Sequence, residues 1–88
     1  MFTVYAIISE STGKIYIGQT INLIERLKQH NANDSAHLGQ FTKQNMGPWK
    51  LIHSEEYKTR SEALKREKQL KSYRGREFIK NLINNNRP

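Results

Sequence analysis

Two short runs of β-branched and aromatic residues, Phe2 to Ser9 (FTVYAIIS) and Lys14 to Gly18 (KIYIG), are separated by Glu10 to Gly13 (ESTG). Such residues favour pleated strands, and the intervening segment carries turn chemistry, so the chain is predicted to open on a β-hairpin. A turn at residues 10 to 13 sets Ser9 opposite Lys14, Ile7 opposite Tyr16 and Tyr5 opposite Gly18. Directly opposed residues of an antiparallel pair share a face, which puts Tyr5 and Tyr16 together. Val4, Ala6, Ile8, Ile15 and Ile17 take the other face, which reads as core. The tyrosine face keeps a polar component, and Gly18 lets something approach it closely.

The chain has 88 residues and no cysteine. One small domain, residues 1–88, is the expectation at this length, and the fold must rest on its apolar residues because disulfides and thiolate zinc sites are excluded. Nucleophilic cysteine chemistry is excluded with them. The N-terminal apolar run is short and no basic segment precedes it, so neither a signal peptide nor a membrane span is expected, and a cytoplasmic protein is. Residues 84–88, with three consecutive asparagines, read as a frayed tail.

Asn22 to Asn31 (NLIERLKQHN) opens with an Asn22 and Glu25 pair at capping-box spacing and carries Leu23, Ile24 and Leu27 as an apolar stripe, which predicts an amphipathic helix. Arg26 and His30 are four apart and lie one above the other beside that stripe. Residues 32 to 49 read as a long polar loop with a short helical turn near His37 to Lys43. Lys50 to Tyr57 (KLIHSEEY) predicts a third strand, with Trp49 as a core anchor beside it and His53 as an ordinary strand residue. Thr59 with Glu62 opens a further helix through about Tyr73, whose apolar side is Ala63, Leu64 and Leu70. Glu67 falls in line with that side, where a carboxylate needs a cation, a metal or an opening to water. A last helix from about Arg76 to Ile83 presents Phe78, Ile79, Leu82 and Ile83. The predicted class is α+β: a small three-stranded antiparallel sheet flanked by helices.

Fifteen Lys and Arg against eight Asp and Glu give a net charge of +7. Residues 57–80 alone hold nine cations against Glu62, Glu67 and Glu77. A polyanion is the natural partner for such a stretch, and Lys14, Lys65, Lys68, Lys71, Arg74 and Arg76 are the candidate nucleic-acid contacts. Leucines and aromatics do not line up opposite these cations, which disfavours a membrane surface.

Two tyrosines on one hairpin face, an Arg26–His30 pair and a carboxylate in a basic helix are the parts that phosphodiester hydrolysis uses. It needs a deprotonated water, charge neutralisation at phosphorus and, usually, a divalent ion held by oxygen. In this order the residues resemble the GIY-YIG nuclease domains, over about Phe2 to Ile83. Thr3-Val4-Tyr5 stands where GIY would, with Thr3 in place of its glycine; Tyr16-Ile17-Gly18 is YIG itself; Arg26, His30 and Glu67 follow. The run from Pro48 to Ile83 is similar to the small bacterial members. Ile79 stands near a place where many relatives carry an asparagine, with Asn81 two residues on.

The resemblance implies a metal-dependent endonuclease acting on DNA, with RNA left open, probing strand structure rather than base sequence and serving DNA repair, recombination or processing. By the same resemblance Glu67 holds one Mg²⁺ or Mn²⁺ and Arg26 clamps the scissile phosphate. Tyr5 is the first choice for general base, Tyr16 and His30 orient water or relay the proton, and Gly18 admits the phosphate. Such a role for Tyr5 requires nearby positive charge to lower its proton affinity. A nucleic-acid-binding module without turnover is the alternative, and a protein-interaction domain on the same fold is a third reading. Oligomeric state is left open.

Overall fold

The predicted hairpin forms in the predicted register. A computed structural model of the chain describes residues 1–31 and 48–85. Strand β1 (Phe2–Ser9) pairs antiparallel with β2 (Ile15–Thr20), matching Tyr5 with Gly18 and Ile7 with Tyr16. Gly13 closes the turn at φ 75°, a left-handed conformation that favours glycine, and its N–H reaches the Ser9 carbonyl at 2.8 Å. Strand β3 (Trp49–Tyr57) pairs with the other edge of β1, so the first strand is the central one in the order β2-β1-β3.

Helix α1 (Leu23–Asn31) starts at Asn22, whose side-chain Oδ1 accepts the Glu25 N–H at 3.1 Å. Helix α2 (Arg60–Lys71) starts at Thr59, which accepts the Glu62 N–H at 3.2 Å and donates its hydroxyl to the Glu62 carboxylate at 3.0 Å. Both starts follow the sequence reading, but the end of α2 does not. The helix stops at Ser72, where both the N–H and the hydroxyl return to the Gln69 carbonyl, and α3 (Tyr73–Asn85) begins at once. Helix α3 therefore begins before Arg76 and runs through Asn84 and Asn85 of the expected tail. The turn expected near His37 to Lys43 lies outside the described residues.

The sheet is buried on both faces. Val4, Ala6 and Ile17 pack against Ala63, Leu70 and Ile79 of α2 and α3, and each of the buried valine, leucine and isoleucine side chains contributes about 1.5–3 kcal/mol relative to exposure. On the other face Tyr5, Ile7 and Trp49 form a second cluster with Leu23 and Leu27 of α1. Trp49 is a core anchor, as expected. Three apolar residues assigned to buried stripes are not buried: Ile24 is 72% exposed, Leu64 48% and Phe78 39%. Phe78 instead meets the His53 ring edge-on, with the Arg66 guanidinium over its own ring at 5.7 Å.

Glu55 of β3 ties the sheet to α2. Its carboxylate accepts two hydrogen bonds from Arg66, at 2.8 and 3.1 Å, one from His53 at 2.5 Å and another from the Tyr57 hydroxyl. At the start of β3, Asn31 accepts the Trp49 N–H at 2.6 Å and donates to the Trp49 carbonyl at 3.2 Å, joining the end of α1 to the third strand. Among the described residues no helix is long and apolar enough to cross a membrane.

Candidate active site

The central strand delivers Tyr5, its neighbour β2 delivers Tyr16 and Gly18, and α1 covers this face with Arg26 and His30. The three rings meet: Tyr16 and His30 lie 5.0 Å apart by centroid, Tyr5 and His30 5.8 Å, and Tyr5 and Tyr16 6.1 Å. His30 Nε2 lies 2.9 Å from the Tyr5 hydroxyl. Gly18 is required by this grouping. A Cβ there would sit 2.9 Å from the Tyr5 hydroxyl and 3.0 Å from the Tyr16 ring, so it admits the two phenols themselves.

The His30 side chain reads as neutral. Burial, helped by the Arg26 charge, pushes it down to about 4. His30 Nδ1 is buried with no hydrogen-bond partner among the described residues. A buried N–H without an acceptor is costly, so the single proton belongs on Nε2, which donates to the Tyr5 oxygen. Tyr5 can then donate onward to Tyr16, with which its side chain is hydrogen-bonded.

Tyr5 is nearly inaccessible, at 1% exposure. Burial raises its proton affinity above that of a free phenol, the neighbouring Tyr16 and the Glu67 charge add to this, and Arg26 only partly opposes them. That environment is the reverse of what the base role expected for Tyr5 demands.

Glu67, on α2, belongs to the same constellation, since its charge also reaches Tyr5, in the opposite sense to that of Arg26. Its side chain is 19% exposed and pairs with Lys71 at 3.3 Å, one helical turn on. Among the described residues no three His, Cys, Asp or Glu side chains cluster as a closed metal cage would require. One half-buried carboxylate fits Mg²⁺, which keeps several waters and completes its shell with substrate phosphate oxygens. Ile79 is fully buried core and offers no oxygen to such a shell.

Of the expected nucleic-acid contacts, Lys14, Lys71 and Arg76 converge on one cleft that Tyr16 also lines. Lys65, Lys68 and Arg74 are exposed and do not line it. Two supporting features were not foreseen. The bidentate Arg66–Glu55 pair holds α2 one residue before Glu67, and no spacing rule links those positions in sequence. Gly75 is buried where a Cβ would overlap the Gln69 carbonyl and the Leu70 backbone, which lets α3 cross close to α2. A glycine inside a helical pattern was a legible sign of such close contact.

The model of the GIY-YIG catalytic domain matches residues 1–82. A UPF0213 protein of Haloquadratum walsbyi is 37% identical over 67 residues, which are 76% of this chain and 71% of that one. A UPF0213 protein of Staphylococcus aureus is also 37% identical over 67 residues, covering 76% of this chain and 77% of its own. No solved structure matches. Matched by that model over residues 1–82, the chain belongs to the GIY-YIG family of nuclease-type domains.

Proposed function

We propose that the protein is a divalent-metal-dependent endonuclease that hydrolyses DNA phosphodiester bonds, selecting its substrate by strand structure in DNA repair, recombination or processing. The carrying observation is the contact of Tyr5, Tyr16 and His30 on one sheet face within the fields of Arg26 and Glu67. Tyr16 is the general base in this reading, because it is half-buried whereas Tyr5 is inaccessible and retains its proton. Water adds to phosphorus as the bridging P–O bond breaks; its proton passes to the Tyr16 oxygen, which has first given up its own proton to solvent, and the leaving oxygen is protonated from solvent. Tyr5, oriented by His30, donates a hydrogen bond to the Tyr16 oxygen, and Arg26 neutralises the phosphoryl oxygens. Glu67 would hold the Mg²⁺ or Mn²⁺ ion, which supplies Lewis-acid charge at the phosphate and favours the anionic base and nucleophile.

The test incubates wild type, Glu67→Ala, Tyr16→Phe and Tyr5→Phe with labelled duplex, single-stranded, flapped and four-way-junction DNA, in Mg²⁺, Mn²⁺ or EDTA. Cutting by wild type with metal, binding without cutting by Glu67→Ala, and a loss of about 10²–10⁴-fold in Tyr16→Phe are expected. Tyr5→Phe keeps the base and loses less. Folded wild type that binds in a salt-sensitive way and cuts nothing would instead make the chain a binding module.

A further inference from the structure

Beside Tyr16 a cleft of about 510 Å³ opens between the hairpin turn and the α2–α3 junction. Lys14 comes from the turn, Lys71 from the last turn of α2 and Arg76 from α3, and none of the described residues lining the cleft is acidic. Ile15 and Ile79 supply apolar wall between these cations. Three cations from three separate elements around one concavity, one of them also paired with Glu67, favour an anion there. A volume within the roughly 300–1,000 Å³ of small-molecule sites has room for one nucleotide and none for both strands of a duplex.

We propose that this cleft seats the nucleotide adjacent to the scissile phosphate, and that the strand enters it unpaired. The inference rests on the nuclease reading for its orientation and adds a substrate class: a single strand, as in a flap, an end or a bubble. Tyr16 lines both the cleft and the tyrosine cluster, so a phosphate held by Lys14, Lys71 and Arg76 has its neighbour next to the candidate base. Lys71 links the two regions. With no strand bound it pairs with Glu67 at 3.3 Å, and its half-exposed chain can turn to a phosphate in the cleft. Substrate entry thereby frees the Glu67 carboxylate.

The experiment reads binding in EDTA, where no cutting occurs. Anisotropy of a labelled single-stranded oligonucleotide and of the matching duplex is followed from low to high salt for wild type, Lys14→Gln, Arg76→Gln and the double variant. Lys58→Gln is the control. It is exposed at the opposite end of β1 from the hairpin turn, next to the Phe2–Tyr57 pair. Each cleft cation removed should flatten the slope of log affinity against log salt by about 0.7 for the single strand. Lys58→Gln should leave it unchanged, and wild type should hold the single strand at least about tenfold more tightly than the duplex. Lys14 and Arg76 are exposed, so thermal melts should report intact folds for their variants. An unchanged slope in the double variant, an equal change in Lys58→Gln, or equal binding of duplex would overturn the proposal. A protein that cuts nothing could still pass, and an active nuclease could fail, so the two readings stand or fall separately.

Discussion

Replacing Glu55 by glutamine keeps the size of the side chain and removes its charge from a carboxylate that four donor atoms surround. Burial alone would raise the Glu55 carboxyl, but hydrogen bonds from Arg66, His53 and Tyr57 override it and hold it down to about 2, against an ordinary value of 4.5. At 1.36 kcal/mol per unit, that depression corresponds to about 3 kcal/mol of stability linked to the charge. Glu55 is 21% and Arg66 31% exposed, so water screens part of the pair and about 1–2 kcal/mol is the expected loss at neutral pH. In a domain of this size that lowers Tm by roughly 5–15 °C. A folded carboxyl depressed below its unfolded value contributes fully above pH 4.5 and loses the contribution as pH falls toward 2. Thermal melts of wild type and Glu55→Gln between pH 7 and pH 3 should therefore converge at the acid end. Adding Arg66→Gln and the double variant completes a cycle whose coupling is expected at about 1 kcal/mol. Parallel Tm curves from pH 5 to pH 3, or coupling near zero, would refute the assignment of this network as the tie between β3 and α2.

Two glycines give further tests. Gly75→Ala places a methyl group on the Gln69 carbonyl and the Leu70 backbone, neither of which can rotate away, so a loss of about 2–4 kcal/mol in urea unfolding is expected. Gly18→Ala pushes on two phenol rings that can shift, and should cost about 1 kcal/mol in stability but at least tenfold in cleavage. Unchanged cleavage in folded Gly18→Ala would mean that the hydroxyl positions do not matter.

The hairpin was legible because a two-residue period and a turn of fixed length determine register, and with it the pairing of Tyr5 with Gly18 and Ile7 with Tyr16. Both helix starts were legible because Asn22 and Thr59 act on backbone within three residues. Periodicity failed at Ile24, Leu64 and Phe78, since it identifies an apolar side of a helix without saying how much of that side a partner covers. The burial of Tyr5 was illegible for a related reason. Strand alternation put it on the less apolar face, and only the arrival of α1 and Trp49 seals that face and encloses its ring. The Glu55–Arg66 pair joins positions whose adjacency exists only once β3 and α2 have docked.

The Asn31 clasp bears on how the family's small scaffold can be enlarged. Because one side chain holds both the N–H and the carbonyl of Trp49, the chain leaves α1 and re-enters the sheet at a common point, whatever lies between. Closing a longer excursion between fixed ends costs only about 0.6 kcal/mol for each doubling of its length. This junction is therefore a graft point: a substrate-reading element of substantial size could be spliced in there while Tyr5, Tyr16 and His30 keep their positions.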